Sequence, residues 1–320
     1  MVAAVSSVAS PVVAQVVRSG FVEGRHHGSV VAVAPDGAVL WALGDVDRLV
    51  FPRSSNKPLQ ATAMVRCGLP LRGRLLALAA ASHSGEPEQI DGVREILSGA
   101  GLAESALQTP ADFPLDEVAR ESWIRSGGRR EQIAMNCSGK HAGMLATCVA
   151  NDWDITDYLR AGSPLQARIS EVFTELTGQP VGAVGVDGCG APLLATSLSG
   201  LARAFSRLVQ AAPDSAEAAV AGAIAGHPEM VSGSRRDEPA LLRAYPGAIG
   251  KSGAEACHAF ALPDGTAVAL KIEDGADRAR PVVLAAALCR LGLDHDVLHQ
   301  LGHPRVLGGG RPVGEITATF

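Results

Sequence analysis

The position of the extended segments along the chain constrains the fold more than any other feature. Residues 12–18 (VVAQVVR), 28–34 (GSVVAVA) and 38–43 are short, apolar and rich in β-branched side chains, which suits strands. Asp36-Gly37, between the second and third, marks a tight hairpin. Segments of this kind return only near the other end, at 256–261 (ACHAFA) and 267–273 (AVALKIE), joined by the Pro263-Asp264-Gly265 turn. Between these groups the apolar spacing is helical over 55–67, 88–99, 116–125, 141–150, 164–177, 194–210 and 215–226, and 277–291 forms a last long helix. Helix 164–177 is closed by Gly178. Two end groups of strands around a helical middle predict an α/β fold, with an antiparallel sheet drawn from both termini and packed on the helices. The chain reads as a single domain with two lobes. The sheet-bearing lobe covers 1–50 and 240–320, and the helical lobe 51–239. The Pro/Gly-rich tail after Gly302 is the one candidate boundary.

Of 320 residues 47% are hydrophobic, ample for a buried core, and the net charge of −5 leaves no footprint for nucleic acid or an acidic membrane surface. No apolar run reaches the ~18 residues of a membrane span. No Lys or Arg precedes the mildly apolar N-terminal stretch, so it lacks the charged region of a secretory leader, and a cytoplasmic location is expected. Six widely spaced cysteines in such a chain point to reduced thiols.

Only four of the 28 basic residues are lysines: Lys57, Lys140, Lys251 and Lys271. A lysine kept among so many arginines marks a place where a group able to lose its proton is wanted, because arginine stays charged. Ser54 and Lys57 form Ser-x-x-Lys at a predicted helix start. Three residues apart on a helix share a face, so the amine can reach the hydroxyl and activate it. The plainer reading is a capped helix with a solvated lysine, but a cation in the first turn opposes the helix dipole. Ser82 follows an apolar stretch in Ser82-His83-Ser84-Gly85, either a turn or a loop entering a site. Cys137 and Lys140 in NCSGKHAG, with Cys189 in VDGCG, are either thiols buried in glycine-rich loops or a metal site whose spacing is not that of a zinc finger. A nucleotide loop is excluded, since Gly-x-x-x-x-Gly-Lys-Ser/Thr is absent. Lys251-Ser252-Gly253, just before a strand, resembles the Lys-Thr-Gly box of serine β-lactamases and penicillin-binding proteins. The order Ser-x-x-Lys, serine, lysine box is also theirs. Lys271 alternates along a strand and reads as half-buried. The histidines form no triad, and His295 and His299 read as surface residues.

Together RSSNKPLQA, ASHSGEPE, MNCSGKHAGML, VDGCGAP and GKSGAE resemble the asparaginase II family of Rhizobium type, also called class 3 L-asparaginases, from about Arg18 to about Cys289. The resemblance implies a fold similar to serine β-lactamases, penicillin-binding proteins and serine-dependent glutaminases. It implies hydrolysis of the side-chain amide of L-asparagine to L-aspartate and ammonia. It assigns Ser54 as nucleophile and Lys57 as its base, and it pairs Ser82, or Ser84 in its place, with Lys251. Arg53 and Asp187 would line the pocket. Cys137, Lys140 and Cys189 would hold a zinc ion that the reaction does not strictly require, and the protein would be a homodimer. A zinc-bound lysine must be neutral, which arginine cannot be. Two rival readings are a glutaminase or penicillin-type acylase on the same fold, and a catalytically silent zinc- or amino-acid-binding protein.

Overall fold

The computed structural model describes residues 10–320. The leaderless reading of the N-terminal stretch falls largely on residues 1–9, outside the described part. The chain opens with β1 (Val12–Arg18), β2 (Phe21–Val33) and β3 (Val39–Leu43). A 3-10 turn (Arg53–Asn56) leads into α1 (Lys57–Arg66), followed by α2 (Gly73–Ala79), α3 (Pro87–Gly99), α4 (Glu117–Arg125), α5 (Ser138–Ala150) and α6 (Pro164–Thr177). A small hairpin of β4 (Val184–Val186) and β5 (Pro192–Leu194) precedes α7 (Leu198–Val209), α8 (Ala216–Gly226), α9 (Pro228–Val231) and α10 (Asp237–Ala244). The chain then returns to the sheet with β6 (Ile249–Gly253), β7 (Cys257–Ala261) and β8 (Ala267–Ile272). It closes with α11 (Arg280–Arg290), α12 (Asp296–Gly302), β9 (Arg305–Gly308) and β10 (Arg311–Ala318).

Strands from both ends make one antiparallel sheet in the order β6-β7-β8-β2-β1-β10-β9, with β3 also paired to β2. The long β2 is the seam: Gly28 to Val33 pair with Ile272 to Ala267 of β8, while its first half pairs with β1. Strands β6 and β7 are buried at every position, as is β8 except at Lys271, so both faces of this part of the sheet are covered. Helices α7 and α11 cover β7 and β8, and α8, α10 and the turn at 53–56 lie against β6. Ser197 caps α7 by accepting from the Gly200 N–H, and its apolar stripe buries Leu201, Phe205 and Leu208 completely. Each such side chain contributes about 1.5–3 kcal/mol relative to exposure.

Helix boundaries follow local chemistry. Pro164 opens α6 behind the Ser163 cap, and Gly178 closes it at φ +69, as expected. Two expectations are corrected. The tail after Gly302 is no boundary: β10 pairs with β1, and β9 with β10, so the tail completes the sheet. Helix α5 begins at Ser138, three residues before the expected 141, which puts Lys140 on a helix and not in a loop.

Candidate active site

The site is built where the first helix of the middle region meets strand β6. Arg53 has φ +52, a left-handed conformation rare for a side-chain-bearing residue, and it turns the chain sharply ahead of Ser54. The Ser55 N–H closes the turn on Pro52 O at 3.1 Å. The end of β6 lies directly against this turn. A Cβ on Gly253 would stand 2.4 Å from Pro52 O and 3.0 Å from Ser55 N, so only glycine allows the approach. The approach places Ser54 across from Ser252 and Ala254. Ser54, Ser82, Asn136, Arg236, Ser252 and Glu255 are among the residues lining one cavity of about 230 Å³. Ser54 is nearly buried, and its hydroxyl makes no hydrogen bond among the described residues. An unengaged hydroxyl facing a small polar cavity is free to meet a ligand.

Lys57, the first residue of α1, is buried. Its ammonium donates to Ala81 O, to Ser82 Oγ at 3.0 Å and to Cys137 Sγ at 3.1 Å. The expected partner, Ser54, is not among these acceptors. The physical reason is the demand of a buried ammonium for three acceptors. Ala81 lies just past the end of α2, where carbonyls lack helical partners, and it satisfies one of them. Ser82, not Ser84, faces the cavity: Ser84 is buried and donates to Ser232 O at 2.8 Å. Between them His83 is locked. Its Nδ1 accepts from the Gly85 N–H at 3.1 Å, which leaves Nε2–H to donate to Ser138 Oγ at 2.7 Å. Burial, with the nearby Lys57 charge, pushes the His83 pKa down to about 3, so the ring is neutral.

Lys251 lies on β6 itself, not ahead of a strand as expected, and is completely buried. It donates to Ser252 O at 2.8 Å and stands 3.7 Å from Glu238 Oε1. The expected pairing with Ser82 is therefore replaced by one with Glu238. Burial draws the Lys251 pKa down to about 7; Glu238 opposes the fall and Lys57 adds to it. Burial alone would raise Glu238, but Lys251, Arg236 and Arg280 hold its carboxyl well below the usual range. Its Oε1 also accepts from the Ser252 N–H at 2.8 Å, which ties the pair to the cavity wall. Lys271 is half-buried on β8, as expected.

Cys137 and Cys189 pack together with Ala191. Lys140 donates to Cys189 Sγ at 3.1 Å. The neighbouring Cys189 thiol, with Lys57 and Lys140 outweighing burial, holds the Cys137 thiol well below its ordinary pKa. Burial works against the Lys140 charge, but Cys189, Cys137 and Asp187 keep its pKa above the usual lysine value. Arg53 and Asp187, expected to line the pocket, join each other at 2.8 Å beside the cavity, outside its immediate lining. Burial raises the Asp187 carboxyl, but Lys140 and Arg53 outweigh it and hold its pKa low. All six cysteines are free thiols.

The sequence pattern of the L-asparaginase II family matches residues 14–318, nearly the whole chain. The chain belongs to the L-asparaginase II family. No sequence among curated proteins matches it. Among solved structures it is similar to a β-lactamase from Mycobacterium bovis at 16% identity, with a TM-score of 0.44 over 83% of this chain and 95% of that one. It is similar to a Bacillus glutaminase at 11% identity and a TM-score of 0.44, over 83% and 91% of the two chains. It is similar also to EstCE1, a hydrolase with promiscuous acyltransferase activity, at 14% identity and a TM-score of 0.40, over 78% and 91%.

Membership of the L-asparaginase II family makes the protein an amidohydrolase acting on a small molecule. Among the described residues no helix is long and apolar enough to cross a membrane. The zinc that the family resemblance implies would rest on two thiols and one amine, since no cluster of three or more His, Cys, Asp or Glu is present among the described residues. The donor types suit zinc, two thiols packed together and an amine touching one of them, although the Cys137 hydrogen bond and burial push the Cys189 thiol above its ordinary pKa, so that it too would release a proton on binding. Lys140 would have to release its proton on binding, because only a neutral amine ligates. Sequence reasoning missed Glu238, Arg236 and Glu255 as site residues. Nothing in SGSRRDEP marks the first two, since a charged run reads as solvent-facing until the fold folds it over β6.

Proposed function

We propose that the protein is an L-asparaginase that hydrolyses the side-chain amide of L-asparagine to L-aspartate and ammonia through an acyl-enzyme on Ser54. The observation that carries this reading is the unengaged Ser54 hydroxyl, facing the same small cavity as Ser82, with Lys57 bonded to Ser82. The cavity is smaller than the ~300–1,000 Å³ common for drug-sized ligands, which suits a free amino acid.

Ser54 attacks the side-chain carbonyl. Its proton passes by way of Ser82 toward a lysine amine. In the resting arrangement Lys57 uses all three N–H donors, so it anchors Ser82 and stabilises negative charge on that oxygen. Lys251, whose pKa burial draws down to about 7, is the second amine at the cavity wall; it bonds to Ser252 O and not to Ser82, so a proton reaches it through water in the cavity. The developing oxyanion needs backbone N–H donors near the start of α1; the Ser55 N–H, bound to Pro52 O, is not free to be one. Ammonia leaves with the proton returned from Ser82, and water releases aspartate. If zinc is bound at Cys137, Lys140 and Cys189, it adds positive charge beside the reaction centre.

The test is ammonia release from L-asparagine, L-glutamine and a chromogenic β-lactam. Asparagine should be preferred, and Ser54→Ala should lower turnover by roughly 10⁴-fold or more while leaving the thermal transition in place. Preference for glutamine would make the protein a glutaminase. Asparagine binding without ammonia would make it a silent binder. Wild-type turnover by Ser54→Ala would remove the nucleophile assignment.

A further inference from the structure

The cavity wall opposite the candidate nucleophile carries one cation and one anion with unfilled bonding capacity. Arg236 donates from Nη2 to Ser252 Oγ at 3.2 Å, and its Nε stands 3.4 Å from Glu238 Oε2. No further partner of its five N–H groups is found among the described residues, so part of the guanidinium fork remains open toward the cavity. That fork matches a carboxylate. Ser252 and Glu238 hold it in place, and Glu238 is itself fixed by Lys251.

Two carboxylates line the same cavity, Glu255 and Asp277. Asp277 is already engaged, accepting from Arg280 Nε at 2.7 Å. Glu255 is not: its nearest cation, Arg53 Nη1, stands 3.9 Å away, and its side chain is 60% exposed. The turn that carries it is unusual. Glu255 and Ala256 both take left-handed backbones, at φ +59 and +50, where residues with side chains are rarely found. The carboxylate rests against Gly275, where a Cβ would stand 2.4 Å from Glu255 Oε2. The strained turn and the glycine together aim the carboxylate into the cavity mouth.

We propose that Arg236 and Glu255 form a clamp for the zwitterionic head of the substrate, Arg236 holding the α-carboxylate and Glu255 the α-ammonium. The inference rests on the asparaginase reading and deepens it. With both ends of the head fixed, the side-chain amide is delivered to Ser54. The site then selects free α-amino acids over amides that lack either charge. The plainer reading, in which Glu255 is a solvated turn residue, predicts that its charge is irrelevant to substrate choice.

Substrates lacking one charge test the clamp. Succinamic acid is asparagine without the α-ammonium, and 3-aminopropanamide is asparagine without the α-carboxylate. Glu255→Gln should lower kcat/KM for asparagine by about tenfold or more, mainly through KM, and leave succinamic acid within about twofold. Arg236→Lys should weaken asparagine likewise and leave 3-aminopropanamide within about twofold. Arg236 touches buried Glu238, so its variant needs an unchanged thermal transition. Glu255→Gln stands at an exposed position and carries the test by itself if Arg236→Lys misfolds. Equal losses on the intact and the charge-deleted substrates would overturn the clamp while leaving asparaginase activity standing. A wild-type protein that releases no ammonia from asparagine would overturn the activity, and the clamp with it.

Discussion

Glu238→Gln perturbs the site through one charge while keeping its shape. The glutamine oxygen can still accept from the Ser252 N–H, now at 2.8 Å, so the cavity wall should hold. What is lost is the negative charge 3.7 Å from Lys251. At an effective dielectric of about 20, that attraction is about 4 kcal/mol, equivalent to about three pH units on the lysine. Relaxation and water entry reduce it, so an acid-ward displacement of at least about one pH unit is expected. Lys251 has its pKa depressed from the ordinary 10.5 to about 7. If the neutral amine is the active form, kcat/KM should rise with pH through about 7 in the wild type and at lower pH in the variant. Stability moves with the same proton. Between about 7 and 10.5 the unfolded chain holds a proton on this lysine that the folded one has lost, so the Lys251 contribution strengthens as pH rises through that window and is flat below it. In the variant the window should extend below 7. The assays are pH–rate profiles of kcat/KM and thermal transitions from pH 5 to 10. Superimposable profiles for wild type and variant, or a Lys251→Arg enzyme that keeps the acid limb, would refute the role given to this lysine.

Two further outcomes follow from single positions. Gly253→Ala should cost most of the activity, because its new Cβ meets Pro52 O at 2.4 Å and must push the Ser54 turn or β6 aside; steady-state kinetics with a crystal structure would show the displaced turn. Lys140→Arg should abolish stoichiometric zinc binding measured by calorimetry, because arginine cannot become a neutral ligand, while zinc binding to the wild type should release a proton detectable as a dependence on buffer ionisation enthalpy.

Local signals located most of the elements. Pro164 and Gly178 bracket α6 because a first-turn proline and a left-handed closing glycine act within a few residues. The Asp36-Gly37 hairpin and the β7–β8 turn were legible for the same reason. The strands at β6, β9 and β10 were not. Arg305–Gly308 and Arg311–Ala318 are charged, glycine-containing and only partly buried, and hydrogen bonding, of the second to β1 and of the first to the second, is what makes them strands. Residues 249–253 (IGKSG) show no alternation, and this segment is fixed by pairing with β7 and by packing on the Ser54 turn and on α10.

The same division holds at the site. Scarcity among the basic residues marked the lysines Lys57, Lys140 and Lys251, and the family resemblance of the motifs around them assigned Ser54, Ser82, Cys137 and Cys189. Which lysine meets which serine was beyond spacing alone. Lys57 reaches Ser82, and Lys251 reaches Glu238, across loops and strands far apart in sequence. A buried cation takes whichever acceptors the folded chain brings within about 3 Å, and only the packed sheet and helices decide which those are.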